Sequence, residues 1–379
     1  MPTRASRKEL LLIIVATLAA MVLAGCKPAF SGTTGVADKS EGARAAQPHP
    51  RLREVHLVAV GDIMLDRGVG AMIRKRGASY ILARVRDHLR AADITFANLE
   101  SPLSTRGPHA PKDCVFRADP ATVAVLKDGG IDIVSVANNH TLNSGRRTLL
   151  DTLDILDRNG ILYCGARREK ETSWWPVYIE VNGLKLGFMA YTDLSFAHGS
   201  YNKVAPDLSN LKKQVAVADG KCDLLVVSFH WGEEYHRLPT QRQRAVARAA
   251  VEAGADLILG HHPHVLEGLA AYRGTPILYS MGNFVFDQRP GERMESAIFD
   301  IEYIERWGWD IKATPVVIPR SRFGPEYAPP EKAAKIARRL QEISAKLGTW
   351  PEIAEDNTVR LHVSGRWRIQ SARGEKASE

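Results

Sequence analysis

The sequence has little cysteine, which excludes a small scaffold held together by disulfides. Four cysteines occur among 379 residues, and hydrophobic residues make up 45% of the chain. This apolar content is ordinary for a globular protein, so the chain can bury a sizeable core as one large domain or two moderate ones. Cys164 and Cys222 adjoin apolar strands and are predicted to be packed thiols. One disulfide involving them or Cys114 remains an alternative that spacing does not decide.

Long apolar runs are also scarce, and the one that approaches membrane-spanning length lies near the amino terminus. Residues 10–23 form this run behind a basic head, and Ala24-Gly25-Cys26 follows directly. A run of this length is typical of a signal-peptide core and is short for a membrane span. The residues around Cys26 resemble the lipobox of bacterial lipoproteins, in which the thiol receives a diacylglycerol. We expect residues 1–25 to be a lipoprotein signal peptide, with an uncleaved anchor as the alternative.

Both alternatives place the remaining chain outside the cytoplasm at a membrane, in the periplasm or on the cell surface. Residues 26–53 are rich in Gly, Ala, Ser, Thr and Pro. Such a segment buries too little apolar surface to fold by itself, so it is predicted to be a flexible tether. No later stretch reaches the ~18 apolar residues that a second span requires.

The chain is basic, yet it lacks the pattern of a nucleic-acid-binding surface. Lys and Arg number 51 against 43 Asp and Glu, which gives a net charge of +8. Loss of Arg4, Arg7, Lys8 and Glu9 with the signal peptide would leave +6. These charges are spread along the chain without interleaved aromatic residues, so nucleic acid is not an expected partner. A polyanionic polymer is compatible with the charge.

Strand-like and helical patterns alternate after the tether, which favours an α/β fold with largely parallel central strands. The strand-like runs are 55–60, 94–97, 131–137, 224–229 and 257–259, and the helical patterns are 79–92, 120–129, 145–159 and 240–254. A second group of strands is predicted to be antiparallel and to border the first group: 175–181, 184–191, 275–281, 297–304 and 309–318. A helix at 331–347 and a strand at 358–363 follow.

Polar side chains cluster where most of the central strands end. They are Asp62, Asn98, Glu100, Asn138, Asn139, His140, His230, Glu234, His261, His262, His264 and Asn283. The carboxyl ends of strands in α/β sheets form the crevice where ligands bind, so these residues are predicted to converge. A single histidine at a strand end is more often structural, but several such clusters in succession favour one common site.

The residue types in these clusters indicate a metal site. Imidazole nitrogens with carboxylate and amide oxygens, and without cysteine, suit one or two divalent ions such as Mn, Fe or Zn. Such ions could lower the pKa of a bound water and neutralise a phosphoryl or carboxyl oxygen. His262 and His264 could reach one metal region together. His140 is a candidate proton donor or oxyanion-orienting group rather than a ligand.

The motifs together resemble the signature of the CapA family, which are bacterial capsule synthesis proteins tied to poly-γ-glutamate with a calcineurin-like metallophosphatase fold. The motifs are Gly61-Asp62, Asn98-Leu99-Glu100, Ala137-Asn138-Asn139-His140, His230-Trp231-Gly232-Glu233-Glu234-Tyr235, Gly260-His261-His262-Pro263-His264-Val265 and Tyr279-Ser280-Met281-Gly282-Asn283-Phe284. The resemblance covers about residues 55–287. It implies a four-layer αββα sandwich over residues 54–318, followed by a carboxy-terminal extension of helix and strand over 319–379.

The resemblance also implies roles for individual residues around a dinuclear metal centre. The implied catalytic residue is His140, and the implied metal ligands are Asp62, Glu100 as the bridging acid, Asn139, His230, His262 and His264. Residues implied to support these ligands or to contact substrate are Asn98, Asn138, Glu234, His261 and Asn283.

Three positions depart from the pattern of metallophosphatases. Met64 stands where a histidine usually follows the first aspartate, and Asn98-Leu99-Glu100 replaces a Gly-Asp motif, a difference that the capsule family shares. Asn143 stands where relatives often have an aspartate. The first two departures put two-metal occupancy and ordinary phosphoesterase activity in question.

Two hypotheses follow. In the first, the chain is a cell-surface lipoprotein of capsule or poly-γ-glutamate biosynthesis with a metal-dependent hydrolase-like site that acts on a polyanionic polymer or a phosphoester. In the second, it is a non-catalytic capsule export or anchoring component whose metal site is structural or vestigial. Capsule synthesis or export proteins are expected partners in either case. A nucleotide phosphoesterase on the same scaffold is a less favoured third hypothesis.

Overall fold

The computed structural model describes residues 52–107, 115–168, 174–194, 204 and 207–365. The predicted signal peptide, Cys26, most of the predicted tether and Cys114 lie outside the described residues. Within the described part of the chain, no helix is long and apolar enough to span a membrane. Cys164 and Cys222 are buried and form no disulfide within the described residues, which confirms their prediction as packed thiols.

The described elements are numbered in chain order. The strands are β1 (Glu54–Ile63), β2 (Ile94–Leu99), β3 (Ile133–Ser135), β4 (Leu162–Cys164), β5 (Val177–Val181), β6 (Leu184–Thr192), β7 (Leu224–His230), β8 (Leu257–His261), β9 (Leu269–Tyr272), β10 (Thr275–Leu278), β11 (Asn283–Val285), β12 (Glu295–Ile304), β13 (Gly308–Val317), β14 (Glu326–Tyr327), β15 (Glu352–Ile353) and β16 (Val359–Ser364). The α-helices are α1 (Arg67–Arg76), α2 (Arg86–Leu89), α3 (Val123–Gly129), α4 (Arg146–Arg158), α5 (Ser209–Asp219), α6 (Gln241–Glu252) and α7 (Pro330–Lys346).

The strands form two sheets. The first has the order β15-β16-β13-β12-β1-β2-β3-β4, with β11 paired to β1 and β14 paired to β13. The second has the order β5-β6-β7-β8-β10-β9. Strands β1 to β4 are parallel, as are β6, β7, β8 and β10, whereas β12, β13 and β16 are antiparallel. The carboxyl ends of β1, β2, β7 and β8 all carry the polar clusters of the sequence.

A core of apolar side chains lies between the two sheets. Leu57 and Phe96 of the first sheet and Phe188 and Val226 of the second belong to it, and the rings of Phe96 and Phe188 stack with centroids 6.1 Å apart. Each such fully buried side chain contributes roughly 1.5–3 kcal/mol to folding. The alternation of side chains along β1 sends Val58 to the opposite face, where it joins a second core.

Helices cover the outer faces of both sheets. Leu126 of α3 and Leu153 of α4 pack in the core outside the first sheet, while Val215 of α5 and Val246 of α6 pack in the core outside the second. The four-layer αββα sandwich that the resemblance implied is therefore confirmed.

The carboxy-terminal helix and strand predicted from the sequence are present. Strand β16 pairs with β13, and Ile336 and Leu340 of α7 join the core between the sheets. All described residues lie in one unit that begins at Arg51. The boundary between residues 54–318 and 319–379 stays a prediction.

Several predicted elements were wrong in part. The predicted helix at 79–92 is a short 3-10 turn and the four-residue helix α2, because Val85 has a φ of −127° and a ψ of −4° and interrupts the helical path. Strands β6 and β10 are antiparallel to their hairpin partners but parallel to β7 and β8, so they belong to the central set. Helices α1 and α5 were not predicted.

Candidate metal centre at the strand ends

Two glycines allow the strand ends to approach closely. A Cβ on Gly61 would lie 1.9 Å from the backbone oxygen of Gly282, and a Cβ on Gly260 would lie 1.9 Å from that of Tyr279. Gly61 precedes Asp62 at an irregularity where β1 shifts register against both β2 and β11. Glycine at these two positions therefore lets the backbones of neighbouring segments come into contact next to the polar residues.

Asp62 lies at the centre of the cluster and is fully buried. Its Oδ1 accepts hydrogen bonds from Asn98 Nδ2 at 2.9 Å and from His261 Nδ1 at 3.1 Å. Its Oδ2 lies 3.4 Å from His264 Nδ1 and also accepts from the backbone N–H of His262. The carboxylate therefore connects β1 and β2 of the first sheet to the histidine-rich turn after β8 of the second.

A directed chain of hydrogen bonds continues from Asn98 across the two sheets. Asn98 Nδ2 lies 3.4 Å from His230 Nδ1, and His230 Nε2 donates to Asn139 Oδ1 at 2.8 Å. Asn139 Nδ2 then donates to His140 Nε2 at 3.0 Å. Asn138 fixes the same loop by donating to Asn98 Oδ1 at 3.1 Å and by accepting from the backbone N–H of His140. The structure thus brings both asparagines of the Asn-Asn-His motif to the site.

The hydrogen-bond network defines the protonation of His140. Asn143 Oδ1 accepts from the backbone N–H of Phe116 at 2.9 Å, which orients the amide, because a backbone N–H can only donate. The same oxygen lies 2.7 Å from His140 Nδ1, which must therefore carry the proton. His140 Nε2 is accordingly unprotonated, and its lone pair accepts the hydrogen bond from Asn139 Nδ2. In this tautomer His140 can accept a proton, and a donor role would require its prior protonation.

Glu100 provides the clearest indication of a cation site. Its side chain is fully buried, and Oε1 has no hydrogen-bond partner among the residues that the structure describes. That oxygen lies 3.6 Å from His140 Nε2 and 3.7 Å from His264 Nε2. Both distances exceed the length of a hydrogen bond, so the fold leaves this oxygen available to a cation.

Within the part of the chain that the structure describes, two groups of three donor residues are close enough to hold an ion. Ligand atoms of Asp62, Glu100 and His230 all lie within 4.8 Å of one another, and so do those of Glu234, His262 and His264. The first group is fully buried, whereas the second includes the exposed Glu234. His262 and His264 adopt positive φ angles of 97° and 58°, backbone strain of the kind that accumulates at functional sites.

The electrostatics of the site favour neutral imidazoles beside two carboxyl groups whose pKa values are shifted in opposite directions. Burial lowers the pKa of His140 to about 4 and that of His262 to about 3, and burial with the neighbouring His262 lowers the pKa of His230. Burial and the charge of Asp62 raise the pKa of Glu100 well above its ordinary value. Burial alone would raise the pKa of Asp62, but hydrogen bonds from His261 and His264 hold it well below that value. Neutral imidazole is the form that binds metal.

The remaining predicted residues support this arrangement. Asn283 Oδ1 lies 2.9 Å from His264 Nδ1, and His261 donates to Asp62 as described above. Sequence reasoning missed Phe116, whose ring stacks on His140 with centroids 4.1 Å apart, and Arg67, whose guanidinium lies 4.9 Å from the Phe116 centroid. Neither residue belongs to a strand-end polar cluster, so the pattern that found the others contained no signal for them.

Met64 explains the first departure from the metallophosphatase pattern. Its side chain is fully buried in the outer core of the first sheet, and its sulfur accepts a hydrogen bond from the backbone N–H of Asp66 at 3.1 Å. The position is thus occupied by a packing residue.

The sequence matches bacterial capsule synthesis protein PGA_cap over residues 56–288. A capsule biosynthesis protein CapA from Bacillus anthracis is 30% identical over 83% of this chain and 79% of its own length. A PGA biosynthesis protein CapA from Bacillus subtilis is 34% identical over 75% of this chain and 77% of its own length. A probable polyglutamine synthesis accessory protein from Mycobacterium tuberculosis is 28% identical over 52% of this chain and 56% of its own.

Solved structures of low sequence identity also align with the chain. A hypothetical protein from Thermus thermophilus has a TM-score of 0.39 at 17% identity and covers 71% of this chain and 95% of its own. A 5'-nucleotidase from Candida albicans has a TM-score of 0.38 at 10% identity and covers 71% of this chain and 52% of its own.

Proposed function

Because the chain belongs to the bacterial capsule synthesis protein PGA_cap family, we propose that it is a surface lipoprotein of poly-γ-glutamate capsule biosynthesis with a metal-dependent hydrolase-like site. The lipid would be carried by Cys26, and the site would be formed by the strand-end cluster. The polymer or a phosphoester is the proposed substrate, and capsule synthesis or export proteins are the proposed partners.

The observation that supports this proposal best is the environment of Glu100. A fully buried carboxylate oxygen without a hydrogen bond costs about 1–3 kcal/mol or more, and the fold keeps it facing two imidazole nitrogens. A divalent ion held by Asp62, Glu100 and His230, with a second held by Glu234, His262 and His264, would offset that cost. Such ions supply an acidified water and a Lewis acid.

The chain's own residues would then have separate tasks. Asn98 and His261 orient the Asp62 carboxylate through hydrogen bonds of 2.9 and 3.1 Å. Asn143 and Phe116 hold His140 with Nε2 facing the cluster, where the imidazole can take up a proton from a reacting group. Burial of these groups excludes bulk water and strengthens their electrostatic interactions.

The test combines metal analysis with substrate turnover. Full-length protein purified in mild detergent should contain at least one equivalent of Mn, Fe or Zn, and should cleave poly-γ-glutamate, a phosphodiester or a phosphomonoester. Asp62→Ala should lose metal and activity, whereas His140→Ala should retain most of the metal and lose activity. Full activity in both variants would refute the hydrolase proposal.

A second candidate function is favoured by Met64. Because a core side chain occupies a position where metallophosphatases usually place a histidine, a structural or vestigial ion in a non-catalytic export component fits the same site. Protein that binds metal, stabilises on binding it and turns over none of the three substrates would support this candidate over the first.

Membrane attachment has its own test. Cys26→Ser should move the protein from the membrane fraction to the soluble fraction or leave an uncleaved precursor, whereas Cys164→Ser should leave the distribution unchanged. Unchanged attachment and processing in Cys26→Ser would refute lipidation.

A further inference from the structure

The outer face of the first sheet carries a second group of polar side chains, at a distance from the strand-end cluster. Cross-strand pairing aligns them in two rows on one face. The first row is His56, Glu302, Asp310 and His362, and the second is Asp300, Lys312, Arg360 and Glu352. Their neighbours in sequence, such as Phe299 and Ile311, point into the core between the sheets.

The two rows line a groove with room for a ligand. Its cavity volume is about 670 Å³, within the ~300–1,000 Å³ range of ligand sites. Trp350, which lies between α7 and β15, also lines it. His56 and Asp62 lie toward opposite ends of β1, about 20 Å apart along the strand. We call this cavity the outer-face groove, and it uses none of the strand-end residues.

Exposed indole rings flank the outer-face groove. Trp350 is 74% exposed, and Trp307, at the turn between β12 and β13, is 59% exposed. The ring of Trp307 lies on that of His362 with centroids 5.1 Å apart, and its Nε1 donates to Asp310 Oδ2 at 3.1 Å. An indole offers a large, flat apolar face and loses little rotamer entropy on contact with a ligand. Trp350 supplies such a face to the cavity itself.

Part of the polar lining is already paired, and part is available to a ligand. Asp310 Oδ1 pairs with His362 Nδ1 at 2.8 Å, and Asp300 pairs with His56 and Lys312.

Three other side chains of the lining are exposed and have no hydrogen bond or ion pair within the described residues. They are Glu302, Glu352 and Arg360. The groove therefore offers two free carboxylates and one free guanidinium beside an exposed indole.

The charges of the lining narrow the class of ligand. Four carboxylates face two cationic side chains across the groove, so a polyanion would meet like charges. An apolar partner would have to desolvate these charged groups without replacing their hydrogen bonds. An uncharged polyhydroxyl ligand meets neither cost, because each hydroxyl can donate to a carboxylate and accept from a guanidinium. The C–H face of a sugar ring also packs well on the face of an indole.

We propose that the outer-face groove binds an uncharged glycan chain. One sugar ring stacks on Trp350, and its neighbours hydrogen-bond to Glu302, Glu352 and Arg360. This inference goes beyond the proposed function, because the groove lies apart from the strand-end cluster. A polysaccharide bound there would hold the domain and leave the strand-end residues open to another ligand.

The test is isothermal calorimetry of full-length protein in a detergent without a sugar headgroup. The two probes are β-1,4-linked tetramers, one of N-acetylglucosamine and one of glucose, and at least one should bind. Trp350→Ala should weaken binding at least tenfold, equivalent to about 1.4 kcal/mol, and Trp350→Phe should restore part of the affinity. Trp175→Ala is the matched control, because Trp175 is 52% exposed but does not line the groove. It should change binding less than twofold.

A second variant addresses the polar contacts. Arg360→Gln should weaken binding at least threefold, and circular dichroism should show that both it and Trp350→Ala are folded, since both side chains are exposed.

Several results would overturn the proposal. They are wild-type affinity in Trp350→Ala or Arg360→Gln, an equal loss in Trp175→Ala, and no binding of either tetramer by wild-type protein. Displacement of the bound tetramer by a γ-linked glutamate oligomer at equal residue concentration would assign the groove to a polyanion instead.

Strand-end variants separate this inference from the proposed function. Asp62→Ala should bind the tetramer with wild-type affinity, and Trp350→Ala should keep the metal content of the wild type. Glycan binding by protein that takes up no metal would contradict the hydrolase proposal alone. Metal-loaded, active protein that binds neither tetramer would contradict the glycan proposal alone.

Discussion

Two regions of the molecule place histidine beside a buried acid, and they differ in how completely the carboxylate is paired. On the outer face of the first sheet, Asp300 Oδ1 accepts from His56 Nε2 at 3.1 Å and His88 Nε2 at 2.8 Å. Its Oδ2 has no hydrogen bond within the described residues but is ion-paired with Lys312 Nζ at 3.2 Å. At the strand ends, Glu100 Oε1 has no hydrogen-bond partner among the described residues, and the imidazole nitrogens of His140 and His264 lie 3.6 and 3.7 Å away.

The pKa shifts in the two regions have opposite signs. The hydrogen bond to Asp300 raises the pKa of His56, which is partly exposed, whereas burial lowers that of His140 to about 4. Proximity of histidine to an acid therefore does not by itself indicate a metal site. Removing one partner of the Asp300 group would leave buried charges unpaired, whereas the buried neutral imidazoles around Glu100 are in the form that binds a cation.

The largest expected effect comes from breaking the close backbone approach at Gly61 beneath the strand-end residues. Gly61→Ala places a Cβ 1.9 Å from the Gly282 oxygen, so we expect a loss of more than about 4 kcal/mol in the free energy of unfolding, or no folded protein. Gly160→Ala is the control, because its Cβ would meet nothing within 4 Å despite a φ of 69°. It should cost about 1 kcal/mol. Urea titration measures both, and equal losses would contradict the account.

Glu267 is a third buried acid that can be compared with Asp300 and Glu100. Glu267 accepts from Gln243 Nε2 at 2.9 Å through one oxygen, while the other has no hydrogen-bond partner within the described residues. Burial raises its pKa from 4.5 to about 8. The folded state therefore holds a proton that the unfolded state loses, so this group makes stability fall as pH rises from about 4.5 to about 8.

Glu267→Gln should remove this pH dependence. We expect the variant to gain on the order of 3 kcal/mol relative to wild type when pH is raised from about 4.5 to about 7. Chemical denaturation of both proteins across that range measures how the free energy of unfolding of each changes with pH. Parallel curves would show that Glu267 is ionised in the folded protein.

The smallest expected effect is that of Asp300→Asn, which unpairs the satisfied cluster. We expect a loss of about 2 kcal/mol in the free energy of unfolding at neutral pH, because two histidines and Lys312 lose their carboxylate partner. Interactions in the folded state hold the pKa of Asp300 below its ordinary 3.8. The loss should therefore disappear as pH falls below that value through the folded pKa. Thermal unfolding of the variant and the wild type in buffers of decreasing pH measures this. A loss that persists in acid would contradict the account.

The sequence was sufficient to predict which residues meet at the strand ends. The carboxyl ends of parallel strands share one edge of a sheet, so Asp62, Asn98, His230 and the histidine-rich turn could be brought together without coordinates. The four-layer sandwich was implied by the resemblance to the capsule family, whereas the residue patterns alone predicted an α/β fold. Hydrophobic periodicity found α4 and α6, where apolar residues recur along a long amphipathic helix.

Features that depend on tertiary contacts could not be predicted in this way. Periodic apolar residues at 79–92 are indeed buried, but they follow a 3-10 turn and a short helix, because burial alone does not specify a continuous helix. Arg67 reaches the cluster through the ring of Phe116, which is distant from it in sequence. The proton on His140 depends on the backbone N–H of Phe116, which no motif contains.

The central claim is that incomplete pairing of Glu100 marks a metal site, and metal affinity tests it most directly. Full-length wild-type protein, Glu100→Gln and Asp300→Asn would be stripped with chelator, titrated with Mn²⁺ or Zn²⁺ and analysed by isothermal calorimetry. We predict at least a hundredfold weaker binding in Glu100→Gln, about 2.7 kcal/mol, and wild-type affinity in Asp300→Asn. Equal affinity in wild type and Glu100→Gln would contradict the account.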